Sequence, residues 1–513
     1  MRGTKKSYST IRSFFADVVL RPAYYIPVLF LSFVGFGFSV ISRTYSIDDP
    51  ARHLYFGDHY GKIAGLRWGQ HLIVRIFANI EYTPFVEEFI GLVFLIIGAI
   101  ILTSVLYYLN DQKQDSIIAY SIYSCIFITF PLINEIWEYY ELCVFIGYGY
   151  VITSLCLLYK TVNEKLKIVE YLLLGLLLST VAAGVEAVYI SYITFTLIIL
   201  YVKRIKDKRF NWFLDGVEYA IPFVIAFFFR NAIGYGLIYM YNIERSLNGT
   251  SGVYWSTLGF NEGLSRVINN FWYYLNEAQI YFPITEFVIA IIVFFGINLF
   301  YFPKKGLSPL IIAILIIVSL FSISFIQGVI LPQRVAHIMS VFVAFVSYYA
   351  IILFEKSKYN KLRIAVTIFL FFVAYRQSVC LHTLLALNNQ RSDNEARIVN
   401  SIGQKLYSQF NLEKPVVFCG YYDLGENINR QTQNITETNV QSMLNWAMIA
   451  FENQDMMKEV FSYYGYDIDV LEDPFATKDI YDYTEEAILS DMKPFEIKEF
   501  DDYYLVYFGN FKD

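Results

Sequence analysis

Two adjacent aspartates, Asp48 and Asp49, follow the first hydrophobic stretch of the chain and are the residues best suited to acid-base chemistry. Arg52 and Arg67 come shortly after them. Charged groups beside a membrane are costly unless they have partners or a task. A carboxylate at a partly apolar interface has a raised pKa, which makes it a better general base near neutral pH. We therefore interpret this loop as a candidate reaction centre. The structural alternative is helix capping, since aspartate before Pro50 is also a good N-terminal signal.

Four cationic side chains are candidate anion binders, namely Arg67, Arg230, Arg334 and His337. Arg230 stands inside an apolar run, where an unpaired guanidinium is expensive, so we expect it to pair with a carboxylate or a ligand phosphate. Arg334 and His337 stand near the mouth of a predicted span. The alternative for them is an interfacial cation that reaches the membrane surface along its own apolar stem.

A second group of residues could contact a sugar, and it comprises Arg52, Tyr139, Glu186 and Tyr189. Glu186 and Tyr189 begin a predicted span, where packing is an equally good explanation. Tyr139 belongs to the aromatic segment 137–140, which is typical of an interfacial belt but could also stack on sugar faces. We expect Glu135 and Glu138, in the same short acidic loop, to be solvated.

The composition indicates a polytopic membrane protein. Hydrophobic residues make up 56% of the 513 residues and charged residues 17%, whereas soluble proteins usually have about 25% charged residues. The run at 24–41 follows a basic segment and has no small-residue cleavage site, so we read it as a retained anchor. Nothing suggests a nucleic-acid partner.

Several common active-site types have no support in the sequence. The five cysteines are scattered, with no CxxC pair and no metal-ligand spacing. Cys380 and Cys419 could form a disulfide only if the fold brought them close. The phosphate-binding GxxxxGK[ST], the dinucleotide-binding GxGxxG and the zinc-binding HExxH are all missing. An ATP-driven pump and a zinc protease are therefore unsupported.

Apolar windows long enough to cross a bilayer predict about eleven transmembrane helices, at 22–41, 86–109, 116–133, 142–159, 168–184, 186–202, 216–241, 280–301, 307–330, 336–354 and 363–380. Lysine and arginine cluster in alternate loops, which are cytoplasmic by the positive-inside rule. This register places the N-terminus inside and places the first loop, 42–85, outside. Within that loop, 52–80 reads as a pair of amphipathic interfacial helices.

From about residue 388 the sequence becomes polar, which predicts a small extracytoplasmic α/β domain at 388–513 after a membrane domain at 1–387. A strand is predicted at 415–420, and a closing strand pair at 495–498 and 504–508. Helices are predicted near 392–408 and 439–461.

Short motifs at both ends of the chain resemble a known family. They are Ile47-Asp48-Asp49 with Arg52, Gly65-Leu66-Arg67-Trp68, and the polar run from Asn388 to Ile398. The chain resembles the bacterial GT-C membrane glucosyltransferases of the serotype-converting Gtr type, Gtr family II. One departure is Leu66, since the family often has glycine directly before the Arg-Trp pair.

The resemblance implies an enzyme of the bacterial cytoplasmic membrane that needs no cofactor. It would take glucose from undecaprenyl phosphate on the outer face and add it, with inversion, to a surface polysaccharide such as O-antigen. Asp48 or Asp49 would be the base, and Arg67 would bind the donor phosphate or organise the loop.

Physical chemistry supports a similar mechanism. No nucleotide is supplied outside the membrane, so a sugar donor must arrive on a lipid carrier whose phosphate needs cations. Such a phosphate leaves already ionised and needs little proton donation. One carboxylate to deprotonate the acceptor hydroxyl and arginine to neutralise the phosphate would then suffice. The aspartate pair could hold a divalent metal, but the reaction does not require one. Two alternatives remain: a flippase or transporter of lipid-linked sugars, and a polysaccharide polymerase or ligase.

Overall fold

The structure is a computed structural model, and it describes most of the chain. The described residues are 2–42, 60–77, 85–137, 142–163, 165–184, 186–207, 210–245, 259–276, 284–328, 333–355, 360–410, 412–422, 442–445, 454–471 and 480–509. They fall into two compact units. Among the described residues, the first unit holds 2–41 and those from 62 to 383, and the second holds 42, 60, 61 and those from 384 onward. The expected outer loop and several candidate residues lie wholly or partly outside this described part.

The first unit consists of helices. Their bounds are α1 Arg2–Phe14, α2 Pro22–Ile41, α3 Tyr60–Ala64, α4 Trp68–Phe77, α5 Val86–Leu109, α6 Ile117–Thr129, α7 Ile133–Trp137, α8 Leu142–Val162, α9 Ile168–Ala182, α10 Glu186–Lys206, α11 Trp212–Tyr241, α12 Phe260–Asn276, α13 Ile284–Lys305, α14 Ser308–Ser319, α15 Ser322–Gln327, α16 Met339–Glu355 and the start of α17 Asn360–Gln409. A π-helix at Phe15–Val19 and 3-10 helices at Gln114–Ser116 and Gln333–Ile338 complete it.

Seven helices of the described part are long and apolar enough to cross a membrane, namely α2, α5, α8, α10, α11, α16 and α17. Each of the predicted windows contains a helix, but several helices are shorter than the windows. The window at 116–133 is cut short because Phe130, which precedes Pro131, has an extended backbone with ψ 121°. The window at 307–330 is split between α14 and α15. The sequence-based count of about eleven spans therefore stays a prediction.

The last long helix corrects one prediction. The sequence suggested a span at 363–380 and a separate helix near 392–408, but α17 runs without interruption for 50 residues. No proline stands within it, and Gly403 is its only glycine. Because nothing in the sequence breaks the backbone hydrogen bonds, the helix continues after its side chains have become polar.

The loops rich in lysine and arginine meet at one end of the first unit, which we call the basic end. Lys206 pairs with Asp111 at 2.6 Å, and Arg204 donates a hydrogen bond to Ser308 Oγ at 2.6 Å. Lys160 pairs with Glu218 at the start of α11. Lys305 at the end of α13 also donates to Lys206 O at 3.4 Å. The ends of six helices, α5, α8, α10, α11, α13 and α14, therefore share this location.

The second unit holds a three-stranded sheet. The strands are β1 Val416–Cys419, β2 Glu496–Glu499 and β3 Tyr504–Tyr507, in the order β1-β3-β2. Strand β3 pairs parallel with β1 and antiparallel with β2. The three predicted strands are thus present, and β2 and β3 form the predicted antiparallel pair. Helices α18 Met443–Asn445, α19 Gln454–Tyr463 and α20 Ile480–Leu489 accompany the sheet.

Two side-chain amides bind the backbone beside β1. Gln454 accepts from Phe418 N at 2.8 Å and donates to Phe418 O at 2.9 Å. Asn445 makes the same pair of bonds to Tyr422, both at 2.8 Å. Each amide thereby takes the place of a neighbouring strand for a buried segment. Cys419, fully buried in β1, is a free thiol, and burial raises its pKa.

Candidate active site

The structure leaves part of the predicted site undescribed. Asp48, Asp49, Arg52 and Tyr139 lie outside the described residues. Two further candidates are placed by their backbone alone, with Glu186 as the first residue of α10 and Arg334 in the 3-10 helix Gln333–Ile338. Side-chain geometry is therefore available for four predicted residues, namely Arg67, Tyr189, Arg230 and His337.

The structure brings Arg67 and Arg230 into one neighbourhood, although the two are far apart in sequence. Trp68, the residue after Arg67, donates its indole N–H to the backbone carbonyl of Arg230 at 3.0 Å. Both arginines are half-buried. We call Arg67, Trp68 and Arg230 the arginine cluster. The structure thus brings Trp68, the neighbour of Arg67, against the backbone of Arg230, and each of these half-buried guanidinium groups is a candidate for binding an anion.

The turn before α4 fixes this arrangement through close packing. Leu66 has a φ of 59°, a left-handed conformation that costs a residue with a Cβ about 1 kcal/mol. Its buried side chain packs on Gly234 of α11. Gly69 lies so close to α9 that a Cβ there would be 2.0 Å from Thr180 O. Leucine at position 66, where the family often has glycine, therefore lacks the backbone freedom of glycine but gains apolar contact with α11.

Tyr189 has a packing role in this structure. Its ring stacks on Phe223 with centroids 4.2 Å apart, and its hydroxyl donates to the backbone carbonyl of Phe223. The side chain is 5% exposed. Of the two readings of this residue, the geometry supports the structural one. Phe223 lies on α11, the helix that also carries Arg230.

A second group of polar side chains is buried around α7. Asn134 and Trp137 lie on α7 itself, Tyr150 on α8 and Gln377 on α17, and each is at most 2% exposed. Among the described residues, both amide atoms of Asn134, Trp137 Nε1, Tyr150 Oη and Gln377 Nε2 have no hydrogen-bond partner. We call these four residues the polar cluster. Buried polar atoms without partners carry a free-energy cost, so such groups frequently mark a functional site.

Contacts within the first unit tie the polar cluster to His337. The rings of Tyr150 and His337 meet edge to face with centroids 5.8 Å apart. Trp137 lies against Phe36 near the end of α2, with centroids 4.5 Å apart. Thr129 at the end of α6 donates to Gln377 Oε1 at 3.4 Å. The structure therefore places His337 with the polar cluster and Arg67 with Arg230.

One helix, α10, contacts elements that belong to both clusters. It packs against α8, which carries Tyr150, against α11, which carries Arg230, and against the 3-10 helix that carries His337. The lysines of α10 are in its last turn at the basic end, while Tyr189 is in its first turn. Both clusters therefore lie away from the basic end.

Sequence reasoning missed most of the polar cluster. Asn134 was not singled out, and Trp137 was assigned to a segment expected to form an interfacial belt or to stack on sugars, but both side chains are buried. The expectation that Glu135 and Glu138 are solvated concerns side chains that lie outside the described part of the chain. A usable signal was Gln377, an amide next to Arg376 inside an apolar window. Among the described residues no group of His, Cys, Asp and Glu could hold a metal ion.

A comparison with protein families gives the arrangement a chemical context. The family model described as glucosyl transferase GtrII matches residues 37–346, which is more than half of the chain. The chain belongs to the GtrII glucosyl transferase family. The matched GtrII region contains the arginine cluster and three of the four residues of the polar cluster, all but Gln377. A search of curated proteins and a search of solved structures each returned no match.

Membership of the GtrII family makes this protein a glycosyltransferase with a sugar donor and an acceptor. The two clusters differ in the chemistry they offer to such substrates. Half-buried arginines suit an anionic leaving group. Amide, indole and phenol atoms that have no partner among the described residues suit the hydroxyls of a sugar, because the indole N–H donates a hydrogen bond and amide and phenol groups can donate and accept.

Proposed function

We propose that this GtrII protein transfers glucose, or a similar hexose, from a polyprenyl-phosphate carrier to a cell-surface polysaccharide. The observation that carries the proposal is the family match over 37–346, within which the arginine cluster and most of the polar cluster fall. A lipid-linked donor is consistent with a site built from apolar helices. A polysaccharide acceptor is consistent with the several uncharged hydrogen-bonding groups of the polar cluster.

The reaction we propose is a single displacement with inversion. The acceptor hydroxyl oxygen attacks C1 of the sugar, and the bond between C1 and the phosphate oxygen breaks. The electron pair of that bond goes to the phosphate, and Asp48 or Asp49 takes the hydroxyl proton. Arg67 and Arg230 neutralise the departing phosphate, with Arg334 as a further candidate. Because that phosphate is already ionised, the reaction needs no general acid and no cofactor.

We further propose that the basic end faces the cytoplasm and that both clusters face the outer leaflet. The lysines of the basic end agree with the positive-inside rule. This orientation places the N-terminus inside and the second unit outside, with 388–513 as a separate domain that binds the acceptor. The residues predicted for sugar contact at 52, 139 and 186 then belong to the same outer side.

The test is a transfer assay with purified protein in lipid nanodiscs. Radiolabelled polyprenyl-phosphate glucose and a bacterial surface polysaccharide are supplied, and labelled polysaccharide is the expected product. A flippase would instead move the lipid between the leaflets of sealed vesicles without consuming it. A polymerase or ligase would join polysaccharide units without the lipid-linked monosaccharide. Donor that stays intact in the presence of every acceptor tested would reject the proposal.

A further inference from the structure

A shallow groove of about 490 Å³ lies on the second unit. It is formed where the last turns of α17 meet the turn after α19, and it is lined by Gln404, Tyr407, Ser408, Gly465 and Tyr466. We call it the tyrosine groove. Its volume is in the range of sites for small organic ligands.

Both tyrosine rings of the groove are held in fixed orientations. The Tyr407 hydroxyl donates to Asp467 O at 2.6 Å, and the Tyr466 hydroxyl donates to Asn400 O at 3.3 Å. The two rings meet at 60° with centroids 5.8 Å apart. The Tyr466 ring also lies against Gly403, where a Cβ would be 2.6 Å from the ring atoms. Because the hydroxyls are used for anchoring, ring surface is what the tyrosines offer to a ligand.

The lining combines aromatic surface with uncharged polar groups. Tyr407 is 50% exposed, and the side chains of Gln404 and Ser408 are exposed beside it. None of the five lining residues carries a charge. A flat apolar face flanked by an amide and a hydroxyl is complementary to a pyranose ring, which has apolar C–H faces and hydroxyls around its edge. An anionic ligand would find no cation in the lining, and a lipid chain would meet polar groups.

We propose that the tyrosine groove binds a neutral saccharide segment, at a site separate from the two clusters of the first unit. Rings that are already fixed lose little conformational entropy on binding. A shallow site with few anchors gives weak affinity, which suits a surface that holds a long polymer at repeated positions. The choice of glucose-containing oligosaccharides as first ligands rests on the proposed function, but the groove chemistry itself does not.

The test measures saccharide binding without any donor lipid. Full-length protein in nanodiscs is titrated with maltotriose, isomaltotriose and cellotriose, with trigalacturonate as the charged comparison, and binding is followed by saturation-transfer-difference NMR. At least one neutral trisaccharide should bind with millimolar affinity. Tyr407→Ala should weaken that binding at least tenfold, and Gln404→Ala severalfold. Gly403→Ala should also weaken it, because the new methyl group displaces the Tyr466 ring.

Two matched variants control for damage to the fold. Tyr407→Phe keeps the ring and should retain most of the binding, while Leu489→Ala removes an exposed apolar side chain outside the groove and should leave binding unchanged. Continued protection of the Cys419 thiol would show that the second unit remains folded. No binding of any neutral trisaccharide to the wild type, or equal binding by Tyr407→Ala, overturns the inference. Transfer of the donor sugar without trisaccharide binding would reject the groove as a saccharide site and keep the proposed function. Trisaccharide binding without transfer would keep the groove as a saccharide site and reject the proposed function.

Discussion

In the proposed reaction, deprotonation of the acceptor hydroxyl depends on Asp48 or Asp49. We expect Asp48→Asn and Asp49→Asn each to reduce turnover severely, with at least one losing about a hundredfold, the usual loss for a missing general base. The change is nearly isosteric, so thermal stability in detergent should be unaffected. Asp115→Asn, an exposed aspartate near the basic end, is the control. Normal turnover in both variants would show that the loop containing Asp48 and Asp49 has a structural role and no catalytic one.

Arg67 and Arg230 should act through the donor. Their alanine variants should weaken binding of polyprenyl-phosphate glucose about tenfold or more, and lysine should restore it only in part because the planar fork is lost. Arg204→Ala is the matched control, since Arg204 donates to Ser308 at the basic end and its loss should lower stability without changing donor affinity. Unchanged donor affinity in both alanine variants would exclude the arginine cluster from the site.

Tyr150 allows ligand binding to be separated from stability. Its hydroxyl has no partner among the described residues, so Tyr150→Phe should raise the free energy of unfolding by about 1 kcal/mol. If the polar cluster binds the sugar as proposed, turnover should nevertheless fall about tenfold, because the Tyr150 hydroxyl is then missing. Tyr219→Phe should lower the free energy of unfolding and leave turnover unchanged, because the Tyr219 hydroxyl bonds Thr161 at 3.0 Å. A stability loss in Tyr150→Phe with full turnover would show that the hydroxyl serves the fold.

Among the elements, strand β1 is bound by β3 on one side and, at Phe418, by the amide of Gln454 on the other. Gln454→Ala would leave the buried N–H and C=O of Phe418 without partners, and we expect it to destabilise the second unit by about 3 kcal/mol. Cys419 is the only cysteine after Cys380, so maleimide labelling of its buried thiol in mild denaturant reports the opening of this unit. Gln409→Ala, at an exposed position, should not change the labelling rate. Equal protection in Gln454→Ala would show that other contacts hold β1.

The elements differ in how far the sequence revealed them. Strands β1 and β3 were predictable because short apolar runs flanked by turn residues have few alternatives. Their parallel pairing was not, because it depends on where a long connection returns. The continuity of α17 past residue 388 was also missed, since a change from apolar to polar side chains does not break backbone hydrogen bonds. Leu66 illustrates the same gap, because its left-handed backbone is stabilised by contact with Gly234 and not by local preference.

At the scale of the molecule, orientation decides which substrates can reach the clusters. Single cysteines are introduced into a cysteine-free variant at Lys113 and Asp207, both exposed near the basic end, and at Glu244 and Glu413, both exposed elsewhere. In intact cells the first two should react only with membrane-permeant reagents, and the last two with impermeant ones. Impermeant labelling at Asp207 would invert the proposed orientation and place both clusters on the cytoplasmic side.

The gathering of cations at one end has a further consequence in an energised cell. A membrane potential of 100 mV, negative inside, changes the energy of an elementary charge by about 2.3 kcal/mol across the bilayer. Lys203, Arg204 and Lys206 in the last turn of α10, together with Lys304 and Lys305 at the end of α13, would all have to move against this voltage if the bundle inserted upside down. In the proposed orientation, a membrane potential therefore favours insertion in one direction. Vesicles reconstituted without a membrane potential lack this bias. They should contain protein molecules in both orientations unless a voltage is imposed during reconstitution.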